Sequence, residues 1–153
     1  MPDADQTDDP RDRFYDRLTS TPESVRLFFE GIEQHFTERQ GTYVYFTRTN
    51  GADMRVRLGD GSEPRTPRSS VFAALEWKPD DRLIYGRCKL EPSELSFLGF
   101  NERAAPVTKK EPQQSQFWLS QPYWSAGPSE FIELLEAAEK KADRFECWLN
   151  GQR

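Results

Sequence analysis

The sequence predicts an α+β fold: a mostly antiparallel sheet of about five strands with long N- and C-terminal helices packed on one of its faces. Three observations predict it. Two stretches with apolar residues at helical spacing sit near the ends of the chain, four β-rich runs follow one another between them, and Asn50-Gly51 supplies a strong hairpin signal. Consecutive hairpins pair antiparallel, and amphipathic helices need an apolar sheet face to cover.

Taken in order, residues 1–10 hold almost no apolar side chains and read as a mobile acidic tail, leaving 11–153 as a single domain. Arg11 to Leu18 is a short helical stretch that needs docking to be stable. In STPESVRLFFEGIEQHF, Ser20 or Thr21 is the expected cap, Pro22 suits the first turn, and Val25, Phe28, Phe29, Ile32 and Phe36 share a face. Gly41 is its stop. Strands are expected at Tyr43–Thr47, Met54–Leu58, Val71–Trp77 and Arg82–Leu90, with Lys78-Pro79-Asp80-Asp81 closing the second hairpin. GDGSEPRTPRS reads as a loop, Pro92 to Gly99 as one helical turn, and NERAAPVTKKEPQQS as a second exposed loop. A short fifth strand, Gln116–Ser120, precedes the last helix, whose face carries Phe131, Leu134, Leu135, Ala138, Ala142, Phe145 and Leu149.

Composition narrows the function classes. The 153 residues are 35% apolar, 31% charged and 13% aromatic, so large rings concentrate the burial of a very soluble domain. Neither end reads as a targeting signal and no apolar run spans a bilayer, which predicts a cytoplasmic protein without a membrane partner, monomeric or homodimeric. Cys88 and Cys147 lack metal-ligand spacing and read as reduced thiols. The net charge of −5 is uneven: residues 1–40 hold 5 basic and 10 acidic side chains, residues 41–111 hold 12 and 10. Phosphate binding therefore depends on clustering in space.

The hairpins supply such a cluster. A two-residue turn at Asn50-Gly51 pairs Phe46 with Arg55 and Tyr45 with Val56, sending Tyr43, Tyr45, Met54, Val56 and Leu58 to the core. The opposite face then carries Val44, Phe46, Arg48, Asp53, Arg55 and Arg57. In the second hairpin, pairing Trp77 with Arg82 and Phe72 with Arg87 sends Val71, Ala73, Leu75, Trp77, Ile84 and Cys88 inward, and Phe72, Glu76, Tyr85, Arg87 and Lys89 outward. Rings among cations suit single-stranded nucleic acid, where bases stack and arginines meet phosphates, and equally an acidic protein partner. The competing reading needs no ligand: long arginine stems shield half-exposed rings. The expected function is a non-enzymatic binding module without cofactor or metal, its site made of Phe46, Arg48, Arg55, Arg57, Phe72, Tyr85 and Arg87.

Two alternatives belong to other classes. Asp53 or Asp60 with Glu76 and Lys78 has the outline of a metal-dependent nuclease site, in which carboxylates hold Mg²⁺ and a lysine supports water attack, although Pro79 cuts the strand directly after. Phe117, Trp118, Tyr123 and Trp124 offer walls for a small-molecule pocket, with Trp118 the ring best placed for exposure. The single histidine, His35, reads as a capping or packing residue beside Phe36, and no nucleotide-binding glycine motif or serine elbow occurs.

Overall fold

The computed structural model describes residues 9–47, 53–59, 71–108 and 111–151, with backbone only at 108, 111–113 and 143–151. Its elements are α1 (Pro10–Asp16), α2 (Glu23–Glu38), β1 (Thr42–Phe46), β2 (Met54–Leu58), β3 (Val71–Lys78), β4 (Leu83–Cys88), α3 (Pro92–Phe97), β5 (Arg103–Thr108), β6 (Glu111–Leu119), α4 (Gln121–Ser125) and α5 (Ser129–Gly151). One antiparallel sheet of six strands has the order β1-β2-β3-β4-β6-β5. The first four strands form a meander; α3 then carries the chain past the β6 position, so that β6 returns between β4 and the edge strand β5.

Helix α1 starts one residue earlier than composition suggests, because Asp9 accepts a hydrogen bond from the Arg11 N–H at 2.9 Å and Pro10 needs no partner at a helix start. In α2 the cap differs from expectation. Pro22 occupies the cap position with no side-chain hydrogen bond, and the Thr21 hydroxyl instead donates to Leu18 O at 2.7 Å. The apolar stripe is as read: Val25, Phe28, Phe29, Ile32 and Phe36 are fully buried, each side chain contributing about 1.5–3 kcal/mol of transfer free energy. Gly41 turns the chain into β1 at φ +92°, where a side chain would be strained.

All five helices contribute side chains to one buried cluster, which lies on one side of the sheet. Phe14 of α1 meets Phe46, Phe36 of α2 meets Phe72, Phe131 of α5 meets Phe117, and Trp124 of α4 meets Trp77. Leu95 of α3 joins the same cluster. Between α2 and α5, His35 lies 2.9 Å from Glu136, and Arg39 bridges Glu136 and Glu139 at 3.3 and 2.6 Å. The histidine edge also packs on Phe36, so it links helices.

The sixth strand is a correction. Part of the stretch read as a loop, Arg103–Thr108, is β5, and β6 starts at Glu111 rather than at Gln116. Pro106 and Pro112 mask strand character in the sequence. An edge strand tolerates a residue without an N–H, since one side of its ladder faces no neighbour. Among the described residues, no helix is long and apolar enough to cross a membrane.

Candidate binding face on the sheet

The sheet's second face carries no helix among the described residues, and two departures from the expected register decide what it displays. In the first hairpin the pairs are Phe46 with Met54, Tyr45 with Arg55, Val44 with Val56 and Tyr43 with Arg57. This is one residue away from the two-residue-turn register, so β1 is turned over. Tyr43 and Tyr45 join the arginines, while Val44 and Phe46 face the helices. The cause lies at the hairpin neck. Thr47 N–H donates to Asp53 O at 3.0 Å and the Thr47 hydroxyl donates to Asp53 Oδ1 at 2.6 Å, which leaves the odd-numbered stretch 48–52 as the connection.

The second departure is a β-bulge. Val56 pairs with Ala73 but Arg57 pairs with Val71, so Phe72 is an extra residue on β3. Its ring turns inward and is fully buried, 5.7 Å from Phe36, while Val71 moves to the open face. Phe46 and Phe72 are therefore core residues rather than surface ones. Arg48 and the Asn50-Gly51 turn lie outside the described residues, as does Asp60.

Arg55, Arg57, Tyr85 and Arg87 do lie on the open face, and the register adds Tyr43, Tyr45, Lys78, Gln116, Trp118 and Arg103. One cross-strand row reads Tyr45, Arg55, Ala74, Arg87, Gln116, Ala105; a neighbouring row reads Glu76, Tyr85, Trp118, Arg103. Sequence reasoning missed the tyrosines through the one-residue slip. It missed Arg103 because β5 was read as a loop.

These side chains cover one another. The Arg57 guanidinium sits 5.2 Å from the Tyr43 ring centre and 5.8 Å from that of Tyr45, Lys78 lies 5.7 Å from Tyr85, and Arg103 stacks 4.0 Å from Trp118. Tyr85 and Trp118 are 5.6 Å apart, and the Tyr85 hydroxyl donates to Gln116 Oε1 at 2.8 Å. Arg57 is buried, whereas Arg103 is exposed, and an exposed cation–ring contact is worth ~0.5–1 kcal/mol. Arg55 is tied to Asp53 at 3.2 Å. Burial would lower its pKa, but the hydrogen bond and charge of Asp53, with Tyr45, carry it above its ordinary value.

The parts of the two alternatives are placed differently. Asp53 is engaged by Thr47 and Arg55, Glu76 pairs with Lys78 at 3.4 Å, and no group of three metal-ligating side chains occurs among the described residues. Trp118 is on the open face whereas Trp124 is buried against Trp77 on the helix side, and Tyr123 packs on Phe100 and Phe131. The sheet lies between the two tryptophans, so they do not line one cavity. Cys88 is buried, which pushes its thiol up to about 12 and keeps it protonated at neutral pH. No family model, curated protein or solved structure matches the chain.

Proposed function

We propose that this protein is a non-enzymatic binding module whose open sheet face receives single-stranded nucleic acid. The observation that carries the reading is the pairing of two rows: Tyr85 and Trp118 side by side, and Arg55 and Arg87 in the adjacent row along the strands. A base needs a ring plane and its phosphate needs a cation next to it, and the spacing of i and i+2 residues on a strand provides both.

The rings' present cover does not oppose this. Stacking of a base contributes ~1–3 kcal/mol, against ~0.5–1 for an exposed cation–π contact, so a base displaces Arg103 from Trp118 at a net gain. The released guanidinium is then free to meet a phosphate. An acidic protein segment would use the cations alone and leave the rings without a role.

The test is fluorescence anisotropy of labelled single-stranded DNA and RNA over a salt series. Engagement of about three phosphates gives a slope of log K against log salt near −2, at ~0.7 per phosphate for single strands. Trp118→Ala should weaken binding by about tenfold. Absence of binding at low salt, with retention of an acidic peptide, would transfer the face to a protein partner.

A further inference from the structure

The open face contains one marked concavity among the described residues, and its chemistry is one-sided. A cleft of about 390 Å³ is lined by the side chains and backbone of β3 and β4 together with Arg55, Val107 and Gln114. Among the described residues its lining includes three cations, Arg55, Arg87 and Lys89, and no carboxylate. The origin is a matter of register. Arg55, Ala74 and Arg87 are consecutive cross-strand neighbours, so two arginines two strands apart, about 10 Å between backbones, flank a methyl group that leaves the space between them unfilled.

The two arginines differ. Arg55 shares its charge with Asp53, whereas Arg87 makes no ion pair or side-chain hydrogen bond among the described residues. Gln116, next in the row, is committed on both sides: it accepts from Tyr85 and donates to Pro106 O at 3.2 Å. The Arg87 guanidinium therefore has no acceptor among the described residues. Planar guanidinium groups match the oxygens of a tetrahedral oxyanion with paired N–H donors.

We infer that this cleft is a subsite for a single phosphate group, held between Arg55 and Arg87 over Ala74. The inference rests on the strand-binding reading of the face and specifies where the backbone phosphate sits relative to the Tyr85–Trp118 pair. The same chemistry would accept free phosphate.

The experiment uses the full chain and two probes, inorganic phosphate by calorimetry and labelled oligothymidylate by anisotropy, on the wild type, Arg87→Gln and Ala74→Leu. The first variant removes the charge; the second fills the cleft and keeps every cation. The expected result is loss of affinity for both probes by at least about tenfold in each variant, since a hydrogen bond to a charged group contributes roughly that much. Oligothymidylate binding that neither variant changes would overturn the subsite and leave strand binding by the face intact. Phosphate binding that both variants abolish, with no oligothymidylate binding in the wild type, would uphold the subsite for free phosphate and overturn the strand reading. Absence of binding for both probes would overturn both.

Discussion

The two faces of one sheet are held in place by different physics. On the helix side Phe72, Leu75, Ile84, Phe117 and Leu119 are almost wholly removed from water, with Phe72 against Phe36 of α2 and Phe117 against Phe131 of α5. On the other side the same strands present half-buried Tyr45, Arg55, Tyr85, Arg87 and Trp118, among which Tyr85 and Trp118 pack together and Arg55 is held by Asp53. A side chain deleted from the first face leaves a cavity that surrounding helices cannot fill. One deleted from the second exposes a neighbour to water that is already near. Stability should therefore reside mainly in the helix side, and substitutions can separate it from the recognition proposed for the open face.

The largest effect is expected at the bulge. Phe72→Ala should cost ~3–5 kcal/mol in urea unfolding, since a fully buried ring beside Phe36 is lost. A cost under about 1 kcal/mol would mean that Phe72 is not inside and that the faces are less distinct. Gly86→Ala comes next. A Cβ there would lie 2.5 Å from Phe117 Cε1 and 2.6 Å from Leu75 Cδ2, and such overpacking costs ~1–3 kcal/mol.

The helix side also predicts a pH dependence. Burial raises the Cys88 thiol from 9.0 to about 12, so above pH 9 the unfolded chain gives up its proton while the folded chain retains it. Stability is then fully present below pH 9 and declines as pH rises toward 12. Between pH 9 and 10 the loss from this thiol is up to ~1.4 kcal/mol, one pK unit's worth. Tyr15 and Tyr123 are raised as well, chiefly by burial, and steepen the decline at higher pH. Cys88→Ala should flatten the stability curve between pH 9 and 10; an unchanged slope would place the thiol in contact with solvent.

What the sequence made legible follows the same division. Helical spacing in Val25 to Phe36 and in Phe131 to Ala142 pointed to the residues that are buried, because burial on a helix is set locally by periodicity. Strand faces depend on register, which is fixed by partners elsewhere in the chain. At β1 a single residue, decided by the Thr47–Asp53 contact, reversed the roles of Phe46 and Tyr45. At β3 an inserted residue sent Phe72 inward, and no local pattern marks a bulge in VFAAL. In the second hairpin the pairs are Trp77 with Ile84 and Ala74 with Arg87, two residues away from the expected Trp77–Arg82 and Phe72–Arg87; a shift of two keeps each side chain on its face, so the expected placement of Arg55, Arg57, Tyr85 and Arg87 on the open face survived all three departures. Arg103 was hidden by the proline of its edge strand.

Contacts on the open face should be weaker and separable. A double-mutant cycle between Arg103 and Trp118 should give ~0.5–1 kcal/mol of coupling, as one exposed cation–π contact contributes. The smallest effect is reserved for Arg87→Gln. Arg87 has no ion pair or side-chain hydrogen bond among the described residues to lose, so its unfolding free energy should stay within ~0.5 kcal/mol of the wild type. If the substitution instead cost more than about 1 kcal/mol, Arg87 would be tied into the fold, and the open face would be scaffold like the other. A stable Arg87→Gln variant makes the opposite case. Unfolding free energy that is unmoved by the loss of this charge, together with weakened binding of phosphate or oligothymidylate, is the separation of fold from proposed ligand contact that the phosphate subsite requires.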